Sequence, residues 1–160
     1  MQVDEKTAAL EQLYRERYAT FRDILAGIVG SHELAREVVQ EAFARALRER
    51  RRFRGDGSLE AWVWKIAVNV ARKQRRRLAR ERSLAPEPAR DSVPPDPAVR
   101  EAVLALPPRR RLVIFLRYFA DLSYREIAEI VGVSEGTVAA TIAQAHRELV
   151  RRLEREGVQP

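Results

Sequence analysis

The sequence predicts an all-α protein made of two small helical domains joined by a Pro-rich linker. Three observations carry this. Apolar residues recur at helical spacing along most of the chain, and no run alternates apolar with polar residues as a half-buried strand does. The segment 83–96 (SLAPEPARDSVPPD) holds four prolines without sustained periodicity. At 160 residues with 46% apolar side chains, the chain suits one ordinary domain or two small ones and is too apolar for a disordered tail. The expected division is 1–82, a linker over 83–96, and 97–160.

The first helix is marked by Leu10, Leu13, Tyr14, Tyr18, Phe21, Ile24, Leu25 and Ile28, a stripe that runs from residue 4 to the break at Gly30 and Ser31. Leu34, Val38, Val39, Ala42, Phe43, Ala46 and Leu47 mark a second helix ending in the basic run 48–52. The glycines and Asp of 54–58 (RGDGS) predict a loop, with Ser58 as N-cap of a third helix. That helix carries Leu59, Trp62, Val63, Ile66, Ala67 and Val70 on one side and runs into the cationic stretch RKQRRR at 72–77. Asp96-Pro97 has the form of an N-cap with proline at the first helical position, opening a helix to Leu106. After Pro107-Pro108 the set Leu112, Val113, Phe115, Leu116 and Phe119 predicts another. Ser123 and Glu126 form a capping box for a short helix containing Ile127, Ala128 and Val131. Gly132 ends it and Ser134 caps the last, whose core stripe is Val138, Ile142, Ala145, Leu149 and Leu153.

Absences exclude several function classes. The chain has no cysteine, so disulfides, thiolate metal sites and thiol nucleophiles are impossible. Two histidines, His32 and His146, do not furnish a metal cluster, neither has a carboxylate arrangement of known catalytic spacing, and no cofactor is implied. No apolar run approaches the ~20 residues of a membrane span, and none after Met1 resembles a signal segment. The expectation is a cytoplasmic protein without membrane insertion and without enzymatic activity of its own.

Charge points to a polyanion. The net charge is +7, and residues 45–82 alone hold 14 basic against 4 acidic side chains, whereas residues 85–160 carry 11 of each. A basic stripe concentrated in one element is the electrostatic footprint of a nucleic-acid partner. Phe53, Trp62 and Trp64 sit among Arg51, Arg52, Arg54, Lys65 and Asn69. Aromatic faces stack on unpaired bases, cations hold phosphates and Asn hydrogen-bonds a base edge, a combination suited to single-stranded DNA. Of the two tryptophans, Trp62 is the one expected in the core. Trp64 lies about 200° round the helix and is harder to bury on that face.

Residues 124–143 (YREIAEIVGVSEGTVAATIA) place two helices around a turn of three or four residues, the pattern of a helix-turn-helix. Ala128 lets the helices approach, Gly132 supplies the left-handed residue and Val138 anchors the second helix. Opposite the core stripe lie Gly136, Ala140, Ala143, Gln144 and Arg147, flanked by Thr137 and Thr141, as candidates for the major groove. Few of these make strong bidentate base contacts, so readout by this helix is expected to be modest.

Taken jointly, EVVQEAF at 37–43, FRGDGSLEAWVWKIAVN at 53–69, LPPRR at 106–110 and LSYREIAEIVGVSEGTVAATI at 122–142 make the chain closely resemble the extracytoplasmic-function group of bacterial sigma-70 family RNA polymerase sigma factors. The resemblance covers nearly the whole length. It implies that residues 10–82 are region two, gripping the clamp helices of the polymerase beta-prime subunit through Glu37, Gln40, Glu41 and Phe43. It implies that 53–58 capture a flipped minus-ten base. The minus-ten set is then Phe53, Arg54, Asp56, Ser58, Trp62, Lys65, Asn69, Lys73 and Arg76. Residues 97–155 resemble region four, which binds the beta flap and the minus-thirty-five element. That set is Arg125, Ser134, Gly136, Thr137, Ala140, Thr141, Gln144 and Arg147. Where the family usually shows Lys-Ser-Arg after Gly-Thr-Val, this chain has Ala139-Ala140-Thr141, and Ala143 and Gln144 replace a usual basic pair. Promoter DNA, core polymerase and an anti-sigma factor are the implied partners. Two rival readings account for less of the sequence. A dimeric helix-turn-helix repressor leaves the aromatic, basic helix unexplained, and a small hydrolase lacks a nucleophile and base.

Overall fold

The computed structural model describes residues 2–82 and 96–157, which form seven α-helices and one 3-10 turn with no strand among them. In order these are α1 (Val3–Val29), α2 (His32–Glu49), the 3-10 turn (Arg50–Arg52), α3 (Leu59–Arg82), α4 (Pro97–Leu104), α5 (Pro108–Tyr118), α6 (Tyr124–Val131) and α7 (Glu135–Arg155). Residues 83–95 lie outside the described residues, and with them the linker reading, apart from Asp96.

Local chemistry sets most boundaries. The Ser31 hydroxyl accepts from the Leu34 amide at 3.1 Å and starts α2; the Ser58 hydroxyl accepts from Ala61 N at 3.0 Å and starts α3. Asp96 accepts from the amides of Ala98 and Val99, with Pro97 at the first position of α4. Ser123 and Glu126 satisfy each other's backbone N–H groups at the head of α6. Each such cap contributes roughly 0.5–2 kcal/mol. Gly132 closes α6 at φ 75°, a conformation that a side chain strains, and its N–H returns to Ala128 O. The sequence expected α4 to reach Leu106; it stops at Leu104, because the chain must turn before the Pro107-Pro108 pair can open α5.

α1, α2 and α3 pack on one another, and α5, α6 and α7 surround the buried Val138 that anchors the helix-turn-helix. One continuous buried cluster includes Phe21, Val39 and Trp64 from the first three helices and Phe115, Leu116, Ile127 and Val138 from the last four. The halves meet along a seam where α3 faces α6 and α1 faces α5. Arg17 bridges the seam. It pairs with Glu60 at 2.9 Å and donates to Phe119 O at 3.2 Å.

The seam corrects the expectation for the two tryptophans. Trp64, expected to escape the core, is 0% exposed and lies flat on Phe21 with ring centroids 3.8 Å apart. Trp62, expected inside, is only partly buried and packs at a tilt on Phe53. The buried set of α3 is Ala61, Val63, Trp64, Ala67, Val68, Val70, Ala71 and Leu78. The helix is covered on two sides, by α1 with α2 and by α6, so a single apolar stripe does not describe it.

Candidate nucleic-acid interface

The residues singled out for DNA and polymerase fall on three surfaces. The first is built by the 53–58 loop and one face of α3. Gly55 takes φ 84°, which only glycine adopts without strain, and so turns the chain from the 3-10 segment towards the Ser58 cap. Phe53 is 8% exposed and anchors the loop from below, its carbonyl accepting from Lys6 Nζ at 2.8 Å. Arg54, Asp56, Ser58, Trp62 and Lys65 line a cavity of about 330 Å³ above it. Further along α3, Asn69, Lys73 and Arg76 are exposed, and with Trp62 and Lys65 they repeat every three or four residues, so the five share one helix face.

The other wall of that cavity is the start of α6. Ser123, Arg125, Glu126, Glu129 and Ile130 line it, and Glu126 Oε1 accepts from the Ser58 hydroxyl at 2.8 Å. Burial alone would raise the Glu126 carboxyl; hydrogen bonds from the Ser123 backbone and from the Ser58 and Ser123 hydroxyls outweigh it and hold the group below the usual carboxylate range. Arg125, assigned from the sequence to the minus-thirty-five set, stands here and pairs with Glu129 at 3.6 Å. It is not brought to the α7 groove. A roof of carboxylates over a cationic loop is a feature that single-helix patterns do not contain.

The second surface is the outward face of α7. Ser134, Gly136, Thr137, Ala140, Thr141, Gln144 and Arg147, together with Ala143, line one open groove. Ser134 caps the helix by accepting from Thr137 N at 3.1 Å and shares a 2.9 Å contact with the Thr137 hydroxyl, while Thr141 donates back to Thr137 O at 2.7 Å. The threonine hydroxyls are thereby oriented. Among the described residues Arg147 is the only cation lining this groove.

The third surface runs along α1 and α2. Glu37, Gln40 and Glu41 are exposed, and Phe43 is buried, edge-on to Tyr14 and Phe21. Gln40 and Phe43 border a mainly apolar groove completed by Leu10, Glu11, Tyr14, Arg15, Ala44 and Leu47. The α1 members of this groove were not singled out from the sequence. Their signal was the Leu10–Tyr14 pair, which a core stripe explains equally well. Elsewhere, His146 contacts the Tyr118 hydroxyl at 2.7 Å and His32 pairs with Asp23 at 3.3 Å; among the described residues no group of three metal-ligating side chains occurs, and no helix is long and apolar enough to cross a membrane.

Comparison with known proteins matches both halves of the chain. Residues 13–81 match the family model described as Sigma-70 region 2, and residues 97–149 match Sigma-70, region 4. The chain is 30% identical over 159 residues to the RNA polymerase sigma factor YlaC of Bacillus subtilis, covering 91% of this chain and 92% of that protein. It is 33% identical over 135 residues to the ECF RNA polymerase sigma-E factor of Haemophilus influenzae, covering 71% of each. Its fold superposes on the sigma factor RpoE in complex with the anti-sigma factor NepR from Bartonella quintana, with a TM-score of 0.71, 22% identity, and 90% and 98% of the two chains covered. CnrH in complex with the cytosolic domain of CnrY gives a TM-score of 0.69 at 24% identity, covering 93% and 90%. With both regions matched in order on the helices that carry the three surfaces, the chain belongs to the sigma-70 family of RNA polymerase sigma factors, in its extracytoplasmic-function group.

Proposed function

We propose that this sigma factor, acting in the cytoplasm and without enzymatic activity of its own, recruits core RNA polymerase, recognises a two-part promoter and nucleates strand opening. The face formed by Glu37, Gln40, Glu41 and the groove beside Phe43 takes the polymerase clamp helices. The α7 groove meets the minus-thirty-five element, with the neighbouring helices on the beta flap. The 53–58 loop and the Trp62, Lys65, Asn69, Lys73, Arg76 face take the minus-ten strand. The carrying observation is that face: stacking, hydrogen-bonding and cationic side chains in register on one helix beside a glycine-turned loop.

The chemistry is binding alone. Extruding a base costs a few kcal/mol, and stacking on an aromatic side chain returns roughly 1–3 kcal/mol per base, so capture of an unpaired base favours the open state without a covalent step. In the arrangement described, α6 roofs the loop through the Ser58–Glu126 contact, so a strand enters only when the halves separate. An anti-sigma partner, of the kind present in the RpoE–NepR complex, fits a factor with such a closed form.

Transcription by core polymerase on a library of genomic promoter fragments, with and without the chain, tests the reading. Initiation at a discrete set of promoters only when the chain is present is the expected result; unchanged initiation would overturn it.

A further inference from the structure

On the far side of the seam from the promoter loop lies a second cavity, of about 340 Å³, between α1, α3 and α5. Its polar lining is entirely cationic. Arg72 and Arg75 enter from α3, Arg109 and Arg111 from α5, and among the described residues no acidic side chain borders the space. None of the four takes part in an ion pair among the described residues. Arg111 is 7% exposed, and its Nη1 is held by the carbonyls of Leu104 at 3.2 Å and Leu106 at 3.5 Å, so its guanidinium plane is fixed before any ligand arrives. Burial first, and then the guanidiniums of Arg109, Arg76 and Arg75, hold Arg72 below the usual arginine value; burial and Arg75 do the same to Arg111. The two halves therefore repel each other at this point. α5 also begins here, on Pro107, with no side-chain cap. The remaining walls, Ile28, Phe115 and Val131 among them, are apolar.

Clustered like charges that touch no acid destabilise the fold unless an anion joins them. Guanidinium forks bind phosphate oxygens bidentately, and a space of roughly 300 Å³ is at the small end of small-molecule sites. We propose that the seam binds a compact multivalent phosphate anion, between pyrophosphate and a nucleoside polyphosphate in size. Its oxygens are held by Arg72, Arg75, Arg109 and Arg111, and it clamps the two helical halves in the closed arrangement. The phosphate groups supply the attraction, and the apolar wall takes a ring when the anion carries one. None of the four arginines belongs to the residue sets assigned to the promoter elements or the clamp helices.

The test is calorimetric titration of the full chain with inorganic pyrophosphate at constant ionic strength, with no polymerase or promoter present. One site per chain is expected, with affinity falling at least tenfold in Arg109→Gln and in Arg75→Gln and unchanged in Arg45→Gln, an exposed α2 arginine away from the cavity. Pyrophosphate should also raise the thermal midpoint of the wild-type chain and not that of Arg109→Gln, since a ligand selective for the folded state stabilises it. A nucleoside diphosphate that binds at least as tightly as pyrophosphate, with the free nucleoside inert, agrees with the apolar wall. Circular dichroism establishes that the variants fold, and Arg75→Gln serves alone if Arg109→Gln does not. No heat up to millimolar pyrophosphate, or equal binding by all variants, overturns the proposal. So does loss of duplex DNA affinity in the same variants without pyrophosphate binding by the wild type, which would make the groove a nucleic-acid track.

Discussion

The surfaces of α3 and α7 that we propose to face the promoter are built on opposite principles. α3 offers a dense cationic face with one aromatic ring, and the start of α6 covers its loop end. α7 offers an open groove of glycine, alanine, threonine and glutamine with a single arginine. The first draws its affinity from phosphate charge and stacking, which is strong, salt-dependent and tolerant of sequence. The second depends on close backbone approach, oriented threonine hydroxyls and Gln144, which add little attraction but depend on which base is met. A weak reader tethered to a strong, roofed binder is specific only when both are engaged.

The largest expected effect separates core from surface within α3 itself. Trp64→Ala should cost about 3–5 kcal/mol of stability, because it removes the ring stacked on Phe21. Trp62→Ala should cost much less stability and instead weaken binding of the unpaired minus-ten strand. Urea denaturation read beside strand affinity distinguishes the two; equal destabilisation by both would undo the division.

Next comes the roof. The chain has no cysteine, so Ser58→Cys with Glu126→Cys creates a unique pair that a short thiol-reactive linker can bridge across the 2.8 Å contact. Bridged protein should bind the single strand at least tenfold more weakly than the same double variant left unbridged. Full affinity in the bridged form would mean that the loop is already accessible.

Salt dependence sharpens the contrast. Lys73→Ala and Arg76→Ala should each lower the salt slope for single-strand binding by about 0.7 and weaken all sequences alike. Gln144→Ala should leave the slope unchanged and flatten discrimination among duplexes by about 1–3 kcal/mol at one base pair. A slope change at Gln144 would contradict the assignment of readout to α7.

The smallest effect is on pH. The folded Glu126 carboxyl lies below its unfolded value, so its stabilising contribution is complete above the ordinary carboxylate range and is lost as pH falls through the folded value. Glu126→Gln should therefore lower stability at neutral pH, where the wild-type contribution is complete, and converge with the wild type at acid pH, so that the acid limb flattens. An unchanged acid limb would show that the contact contributes nothing.

What the sequence made legible was local. The Ser58, Asp96, Ser123 and Ser134 caps, the left-handed Gly132 and the outward face of α7 all follow from residues a few positions apart, and the structure places them as read. The tryptophan exchange and the seam were not legible, for one reason. Ser58 and Glu126 are 68 positions apart, and a wheel drawn for α3 alone assumes a single buried side. One signal was present. Six consecutive residues of α5, Arg111 to Leu116, are buried, and such an unbroken apolar run around an arginine belongs to a helix covered all round rather than to the surface of a small free domain.

The central claim is that the α3 face takes an unpaired strand. Fluorescence anisotropy of the chain bound to core polymerase tests it most directly, comparing the single non-template minus-ten strand with the same sequence as duplex across a salt series. Tighter binding to the single strand is predicted, with Asn69→Ala reducing sequence discrimination while leaving the salt slope nearly unchanged, because Asn neutralises no phosphate. Equal affinity for strand and duplex, unaffected by Asn69→Ala, would contradict the account.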